Sequence, residues 1–274
     1  MRILHVFRSP VGGLFRHVRD LVRGQKMLGH EVGLICDSAT GGAAADAALD
    51  ALSAHCDLGI TRRKISTLPG FGDFKGRNAV MALARSLNID VIHGHGAKGG
   101  AYARLAASAL KLPGVYTPHG GSLHYDWLRP PGAAFLLAER AMRLKGTGLI
   151  FVCEFERDLY ARKIGLAGCH STVIYNGLWP EDFNPRTLDQ DAADLLFIGE
   201  MRALKGVDVL LQALALLPSA ERPSANLIGE GRDMAKFTAM SRALELEGSV
   251  KIPRSQRFSQ CFWFRAHSCH AFAQ

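Results

Sequence analysis

The sequence predicts an α/β fold made of two doubly wound domains, of which the second is incomplete. Three observations lead to this prediction. Short apolar stretches alternate with helical patterns along most of the 274 residues, which is typical of parallel sheets covered by helices on both faces. The alternation lapses between Asn176 and Asp194, where two prolines occur without periodicity, and then restarts. The restarted part holds only three strand patterns and two helical patterns, which is small for an α/β domain.

The first forty residues predict one β-α-β unit. Residues 2–7 (RILHVF) form a β-branched and aromatic strand pattern, and EVGLIC at residues 31–36 forms the next. Between them a helical pattern places Val18, Leu21, Val22 and Leu28 on one face, and Gly29 ends it. Two parallel strands joined in this way require a right-handed crossover.

The same alternation assigns the remaining elements. In the first domain the strand patterns are DVIHGHG, GVYTPHGG, GLIFVC and STVIYNG, and the helical patterns are GGAYARLAASALK, AAFLLAERAMRL and EFERDLYARKIG. In the second domain the strand patterns are LLFIGE, SANLIGEG and SVKI, and the helical patterns are GVDVLLQALALL and DMAKFTAMSRALEL. We therefore divide the chain into a first domain at 1–178, a linker at 179–194, a partial second domain at 195–253 and an unusual tail at 254–274.

Composition limits the function classes. Apolar residues make up 48% and charged residues 21% of the chain, as in ordinary globular proteins. No apolar run approaches the roughly 18 residues of a membrane span, and no signal peptide pattern opens the chain, so a cytoplasmic protein is expected. Six cysteines without a CxxC pair suit free thiols. The net charge of +8 indicates an anionic partner, but no nucleic-acid-binding motif is present, so nucleic acid is not expected.

Two glycines, Gly12 and Gly13, separate the first strand from the first helix. Paired glycines let a backbone approach a phosphate or sugar closely, and the helix N-terminus behind them favours negative charge. An ordinary strand-to-helix turn explains them equally well. The dinucleotide fingerprint GxGxxG is absent, although Asp37 stands where a ribose-binding acid would. An NAD-dependent Rossmann oxidoreductase therefore stays as an alternative.

Three histidines end predicted strands, namely His93, His95 and His119. Open α/β sheets bind their ligands at that edge. His93 and His95 face the same side of a strand, a spacing that could suit a metal. No carboxylate or third ligand lies near them in the sequence, so we interpret them as polar turn residues and expect no metal. His119 is followed by glycines that would leave its ring open to a cleft.

Arg202 and Lys205 stand three residues apart between a predicted strand and a helix that begins near Gly206. Two cations and a helix N-terminus would converge on one point, which suits a diphosphate. For an isolated pair of this kind, two solvated surface charges are the commoner explanation.

The order of these motifs resembles the GT-B glycosyltransferases, specifically the retaining family 4 type. The second-domain stretches GEMRALKGVDVLLQAL and LIGEGRDMAKFTAMSRALELEGSVKI resemble that family's donor-binding half. The stretches GGLFRHVRDLVRGQKMLGHEV, IDVIHGHG, TPHGG and VIYNGLWPEDFNP resemble its amino-terminal half and hinge, in the same order. The resemblance runs from Met1 to about Ile252 and implies two Rossmann-like domains.

The resemblance also implies roles. Arg202 and Lys205 would hold the diphosphate of a nucleotide-sugar, Gly12 and Gly13 would face the same cleft, and His119 would lie near the reacting sugar. The implied reaction retains anomeric configuration, with the leaving diphosphate helping to activate the acceptor, and needs neither a protein nucleophile, a metal nor a cofactor. The acceptor would be a glycan or a lipid-linked molecule, in envelope polysaccharide or lipopolysaccharide synthesis.

The first helix carries Arg16, Arg19, Arg23 and Lys26 at spacings of three and four, and TRRK follows at residues 61–64. Such a face could contact the acidic inner surface of a membrane or a lipid-diphosphate acceptor. A solvated basic face is the simpler interpretation.

The chain departs from the family at its end. The family carries two glutamates eight positions apart in its second domain, and this sequence has no such pair. Residues 259–274 read SQCFWFRAHSCHAFAQ, without periodicity. We expect a frameshift near residues 253–257 that truncates the second domain, which makes a non-catalytic remnant that binds only the acceptor the competing hypothesis.

Overall fold

The computed structural model describes residues 1–66, 69–185 and 192–253. The predicted aberrant tail at 254–274 lies outside these residues. The chain divides into two compact units, Met1–Gly177 and Leu178–Gln274. Each unit has its own parallel sheet and its own core.

A parallel sheet of seven strands forms the centre of unit 1. Its strands are β1 (Arg2–Phe7), β2 (Glu31–Asp37), β3 (Ile60–Arg63), β4 (Val91–His95), β5 (Gly114–Thr117), β6 (Gly148–Phe151) and β7 (Ser171–Val173). They lie in the order β3-β2-β1-β4-β5-β6-β7. Strands β2 and β3 therefore lie on one side of β1, and strands β4 to β7 lie on the other side. The crevice at the carboxyl ends of β1 and β4 is the topological switch point, where such sheets bind ligands.

Six helices connect these strands. They are α1 (Gly12–Met27), α2 (Gly42–Ser53), α3 (Gly72–Ser86), α4 (Gly96–Leu110), α5 (Pro130–Met142) and α6 (Glu154–Lys163). Helix α1 buries Val18 and Val22 and half-buries Leu21, as its periodicity predicts, and it also buries Phe15, which the prediction did not include. Leu28 was wrongly placed on that face: it follows the helix and is 75% exposed. Gly29 then takes a left-handed conformation that ends the helix.

Helix α4 lies directly on the sheet because glycines face it. A Cβ at Gly99 would be 2.2 Å from the carbonyl oxygen of Val6 in β1, and one at Gly100 would be 2.1 Å from the Tyr116 ring in β5. Glycine is thus required at both positions for steric reasons. Tyr116 also packs against the Arg104 guanidinium, whose carbon is 4.0 Å from the ring centroid.

A buried ion pair ties α4 to α5. Arg104 is fully buried and donates from a terminal nitrogen to Glu139 Oε1 at 2.7 Å. The Tyr160 hydroxyl donates to the same oxygen at 3.1 Å, and Ser122 lies 3.5 Å from Oε2. These contacts stabilise a charge pair that would otherwise be costly to bury.

Unit 2 is smaller in its described part. Three parallel strands, β8 (Leu195–Ile198), β9 (Ala225–Ile228) and β10 (Val250–Lys251), lie in the order β10-β9-β8. Two helices, α7 (Val207–Ala215) and α8 (Met234–Ala243), complete it. Val207, Leu211, Leu227 and Phe237 are buried between helices and sheet. These three strands and two helices are the elements that the sequence predicts for the second domain. Across both units, no described helix is long and apolar enough to cross a bilayer.

Candidate functional site

Five histidines converge at the switch point of unit 1. His5 comes from β1, His93 and His95 from β4, His17 from α1 and His119 from the turn after β5. Parallel register places His5 beside His93 in neighbouring strands. Because alternate residues of a strand face the same side, His93 and His95 share the face on which His5 lies. Their ring centroids are 4.0 Å apart.

Hydrogen bonds join three of these rings in a chain that begins at Gln25. His5 Nε2 is 2.8 Å from Gln25 Oε1, and His5 Nδ1 is 2.9 Å from His95 Nε2. His95 Nδ1 is in turn 3.2 Å from His119 Nε2. An amide oxygen can only accept, so each neutral ring in the chain donates from Nε2 toward Gln25. The chain fixes how each imidazole is oriented.

The remaining two histidines have partners of their own. His93 Nε2 bonds to the Thr117 hydroxyl at 2.8 Å. His17 Nδ1 bonds to Asn176 Oδ1 at 2.7 Å, and the His17 ring meets His119 edge-on at 4.7 Å between centroids. His17 and His119 are half-buried, whereas His5, His93 and His95 are buried. The cluster therefore has a closed inner part and an open outer part.

Burial keeps these imidazoles neutral. It lowers the pKa of His5 to about 4, and lowers the pKa values of His93 and His95 well below the ordinary value. Burial, helped by repulsion from His17, lowers the pKa of His119 to about 3. Burial also lowers the pKa of His17. The edge thus offers uncharged donors and acceptors, which suit sugar hydroxyls or a metal ion rather than an anion.

The sequence-based interpretation of His93 and His95 as ordinary turn residues was wrong. It rested on the lack of a third ligand nearby, but folding brings His5 beside them and places His17 and His119 beside His95. His5 lies in a strand and His17 in a helix, so neither stands at a strand end where sequence reasoning would look for it.

His119 is held in a strained turn. Its φ is +50°, a backbone conformation that residues other than glycine rarely adopt. The next residue, Gly120, donates its backbone N–H to Glu156 Oε1 at 2.5 Å, and the other oxygen of Glu156 accepts from the backbone of Val152. Glu156 is buried, and burial raises its pKa. This carboxyl, at the start of α6, positions the histidine turn and was not found by sequence analysis.

Gly12 and Gly13 lie in an open turn. Both are exposed, and apart from the adjoining residues and the backbone of α1 itself, no described atom lies within 4 Å of where a Cβ would stand at either residue. Gly12 has a φ of +68° and begins α1. The free space and the helix N-terminus are compatible with the predicted approach of a ligand.

Asp37, at the end of β2, is buried and engaged by its own unit. Its Oδ1 accepts from the backbone of Ile65 at 2.8 Å, and its Oδ2 accepts from the Thr40 hydroxyl. Burial opposes ionisation, but these hydrogen bonds lower the pKa of Asp37 below its ordinary value. The contacts explain the acid without a nucleotide ribose.

Two basic residues of α1 pair with acidic side chains, and a third lies near an aromatic ring. Arg16 donates to Asp20 at 2.7 Å, and Lys26 forms an ion pair with Asp57. The Arg19 guanidinium lies 6.0 Å from the centroid of the Phe15 ring. The predicted membrane-facing set of Arg16, Arg19, Arg23 and Lys26 is therefore a partly paired face.

In unit 2, a short 3₁₀ turn (Ala203–Lys205) precedes α7. Arg202 comes directly before this turn, and Lys205 is its last residue. Gly206 takes a φ of +72° and caps the helix start. Arg202 forms a loose ion pair with Glu200 at 3.4 Å, while its Nε is buried and has no hydrogen-bond partner within the described ranges. Lys205 is exposed. A buried donor without a partner is a costly feature that an anionic ligand would relieve.

Both sheets and their helices match a known class of enzyme fold, that of the GT-B glycosyltransferases. The chain is similar to Anabaena HepE in complex with UDP and glucose, at 19% identity and a TM-score of 0.70, over 96% of this chain and 71% of that one. It is similar to sucrose-phosphate synthase from Thermosynechococcus elongatus, at 15% identity and a TM-score of 0.70, over 98% and 74% of the two chains. It is also similar to WaaG, a glycosyltransferase involved in lipopolysaccharide biosynthesis, at 15% identity and a TM-score of 0.65, over 96% and 72%.

A family assignment follows from the sequence of unit 1. The model of Glycosyltransferase Family 4 matches residues 11–181, which is more than half of the chain. The protein therefore belongs to that family. Comparison with curated protein sequences finds no match.

Proposed function

We propose that this protein transfers a hexosyl group from a nucleotide-sugar to a glycan or lipid-linked acceptor, with retention of anomeric configuration. Membership of family 4 over residues 11–181 carries the proposal. Two solved proteins of the same fold support the substrate classes: HepE is described with UDP and UDP-glucose, and WaaG acts in lipopolysaccharide biosynthesis. We therefore favour a role in envelope polysaccharide or lipopolysaccharide synthesis.

The proposed donor site in unit 2 holds the diphosphate. Arg202 would direct its buried, unpartnered Nε to a phosphate oxygen, and Lys205 would add a second positive charge three residues on. The N-terminus of α7 favours negative charge at the same turn. These groups stabilise the charge that develops on the departing diphosphate, which lowers the barrier without a metal or a cofactor.

The proposed role of unit 1 is to orient the sugar and the acceptor. His119 stays neutral at physiological pH because burial lowers its pKa to about 3. It would therefore contribute a hydrogen bond, not a charge, to the reacting sugar. The open turn at Gly12 and Gly13 would admit the donor phosphates or sugar to the backbone of α1. The partly paired basic face of α1 would contact an anionic acceptor or an acidic membrane surface.

The test uses the full chain with a panel of nucleotide-sugars, measuring release of nucleoside diphosphate with and without lipid-linked acceptors. We expect turnover with one donor, and a loss of about 100- to 1,000-fold in Arg202→Ala, as for removal of a single charge-stabilising donor. Arg232→Ala is the matched control, because Arg232 is an exposed arginine of the same unit. Acceptor binding without turnover of any donor would contradict catalysis and favour the alternative of an acceptor-binding remnant.

A further inference from the structure

We propose that His17, His95 and His119 form a binding site for a transition-metal ion of the Zn²⁺ type. One ring nitrogen from each of these residues lies within 4.8 Å of the others. They come from α1, β4 and the turn after β5, so the site exists only in the folded unit. The inference does not depend on the proposed transfer reaction.

The hydrogen bonds around His17 and His95 leave one ring nitrogen of each residue without a proton. His17 donates from Nδ1 to Asn176 Oδ1, so its Nε2 is bare. The chain from Gln25 through His5 makes His95 donate from Nε2, so its Nδ1 carries no proton and accepts the hydrogen bond from His119. Metal-binding histidines almost always have their second nitrogen held by such a partner. Two of the three ligands are thus oriented for an ion in advance.

His119 supplies the third nitrogen. Its Nε2 is 3.2 Å from His95 Nδ1, while two nitrogens on one tetrahedral Zn²⁺ stand about 3.3 to 3.4 Å apart, given bonds of about 2.0 to 2.1 Å. In the metal-free protein His119 donates from Nε2 to His95. On binding, its proton resides on Nδ1 instead, and both nitrogens that shared the hydrogen bond coordinate the ion.

The choice of ion follows from the ligands. All three are neutral imidazoles, which suit Zn²⁺, Cu²⁺ or Ni²⁺, whereas Mg²⁺ and Ca²⁺ require oxygen ligands. The second group of three, His5, His93 and His95, is less suitable because it is closed to solvent and already bonded to Gln25 and Thr117. His17 and His119 are half-buried, so an ion can enter from outside and keep a water as its fourth ligand.

Titration of the chelator-treated full chain with Zn²⁺ tests the site, with Co²⁺ absorption reporting tetrahedral coordination. We expect one equivalent to bind, and His17→Ala and His119→Ala each to weaken binding by about tenfold or more. His170→Ala is the control, because His170 is exposed on the same unit. A second control replaces Cys261, His267, Cys269 and His270 together, because these residues form another cysteine and histidine cluster in the sequence.

Two results would overturn the proposal. One is binding that survives both His17→Ala and His119→Ala, and the other is binding that disappears when the residues at 261–270 are replaced. If a variant loses its fold, histidine ring NMR of the wild-type chain decides: Zn²⁺ must shift the resonances of His17, His95 and His119 while that of His170 stays unchanged. Failure here leaves nucleotide-sugar turnover untouched, so it is separable from failure of the proposed function.

Discussion

The five-histidine cluster of unit 1 and the turn at Arg202 in unit 2 differ in whether their polar groups have hydrogen-bond partners. Both nitrogens of His5 and of His95 have a partner within unit 1. In unit 2 the buried Nε of Arg202 has none among the described residues. Hydrogen bonds hold these neutral histidine rings in fixed orientations, whereas the buried Nε–H of Arg202 still lacks an acceptor, although a terminal nitrogen of the same guanidinium pairs loosely with Glu200. Unit 1 therefore offers neutral groups that orient a ligand, and unit 2 offers positive charge.

The largest expected difference between the two units is their response to acid, which should destabilise unit 1 more than unit 2. Unfolded histidines take up protons below about pH 6.5, but His5 stays neutral in the folded unit down to about pH 4. Stability is therefore lost as pH falls from 6.5 toward 4, at about 1.4 kcal/mol per pH unit for each buried histidine. Burial also lowers the pKa values of His93 and His95, so these residues add to the pH dependence in the same direction.

Hydrogen exchange with mass spectrometry, with chelator present, checks this region by region. Between pH 7 and 5, after correction for intrinsic exchange rates, β1 and β4 should lose protection while β8 and β9 keep theirs. His5→Gln should flatten the pH dependence of β1. Equal loss of protection in both units would show that the buried histidines are not the cause.

The next largest effect concerns the buried ion pair of unit 1. Arg104→Met leaves the Glu139 carboxylate buried without its partner, which typically costs about 3 to 5 kcal/mol. Urea unfolding of the full chain, followed by hydrogen exchange, should show the loss in α4 and α5. Arg140→Met, at an exposed site on α5, should change stability by less than about 0.5 kcal/mol. Similar unfolding curves for the two variants would contradict the importance of the pair.

A smaller effect is expected from the difference in charge between α1, at the candidate site of unit 1, and α7, at the candidate site of unit 2. Helix α1 carries four cations, whereas α7 (VDVLLQALA) has none. If α1 contacts acidic lipid, replacing Arg23 and Lys26 by glutamine should weaken binding to phosphatidylserine vesicles by about 30-fold, at about 1 kcal/mol for each charge. The matched control replaces Arg85 and Arg140, which are exposed on α3 and α5. Equal weakening by both pairs would indicate net charge rather than a docking face.

The smallest expected effect lies at the Arg202 turn. Glu200 competes for the Arg202 guanidinium in a loose, exposed pair. Glu200→Gln should therefore tighten nucleoside diphosphate binding by about two- to fivefold, as expected for release from a surface ion pair. Isothermal titration measures this, with Glu221→Gln as a control at an exposed glutamate of the same unit. Unchanged or weaker binding would mean that Arg202 does not meet the phosphates.

The sequence predicted the strands that alternate with apolar helices, but it missed α2, β3 and α3. Helix α2 is rich in alanine, so its apolar face has little contrast, and β3 (ITRR) is a polar edge strand. Among the clustered histidines, sequence reasoning singled out only His119, because glycines follow it, and it interpreted His93 and His95 as polar turn residues. His5 is ninety positions from His95 along the chain. Only the register of β1 against β4 brings their rings together, and sequence periodicity does not give that register.

Gly99 and Gly100, which let α4 pack directly on the sheet, also affect the position of the neighbouring His95. His95 immediately precedes α4, so the helix that Gly99 and Gly100 seat against Val6 and Tyr116 begins where the histidine ring stands. A single added methyl at Gly99 would push the helix outward, and the ring would follow its backbone. The position of a functional imidazole thus depends on two residues that have no side chain, and variants designed in the histidine cluster should keep Gly99 and Gly100.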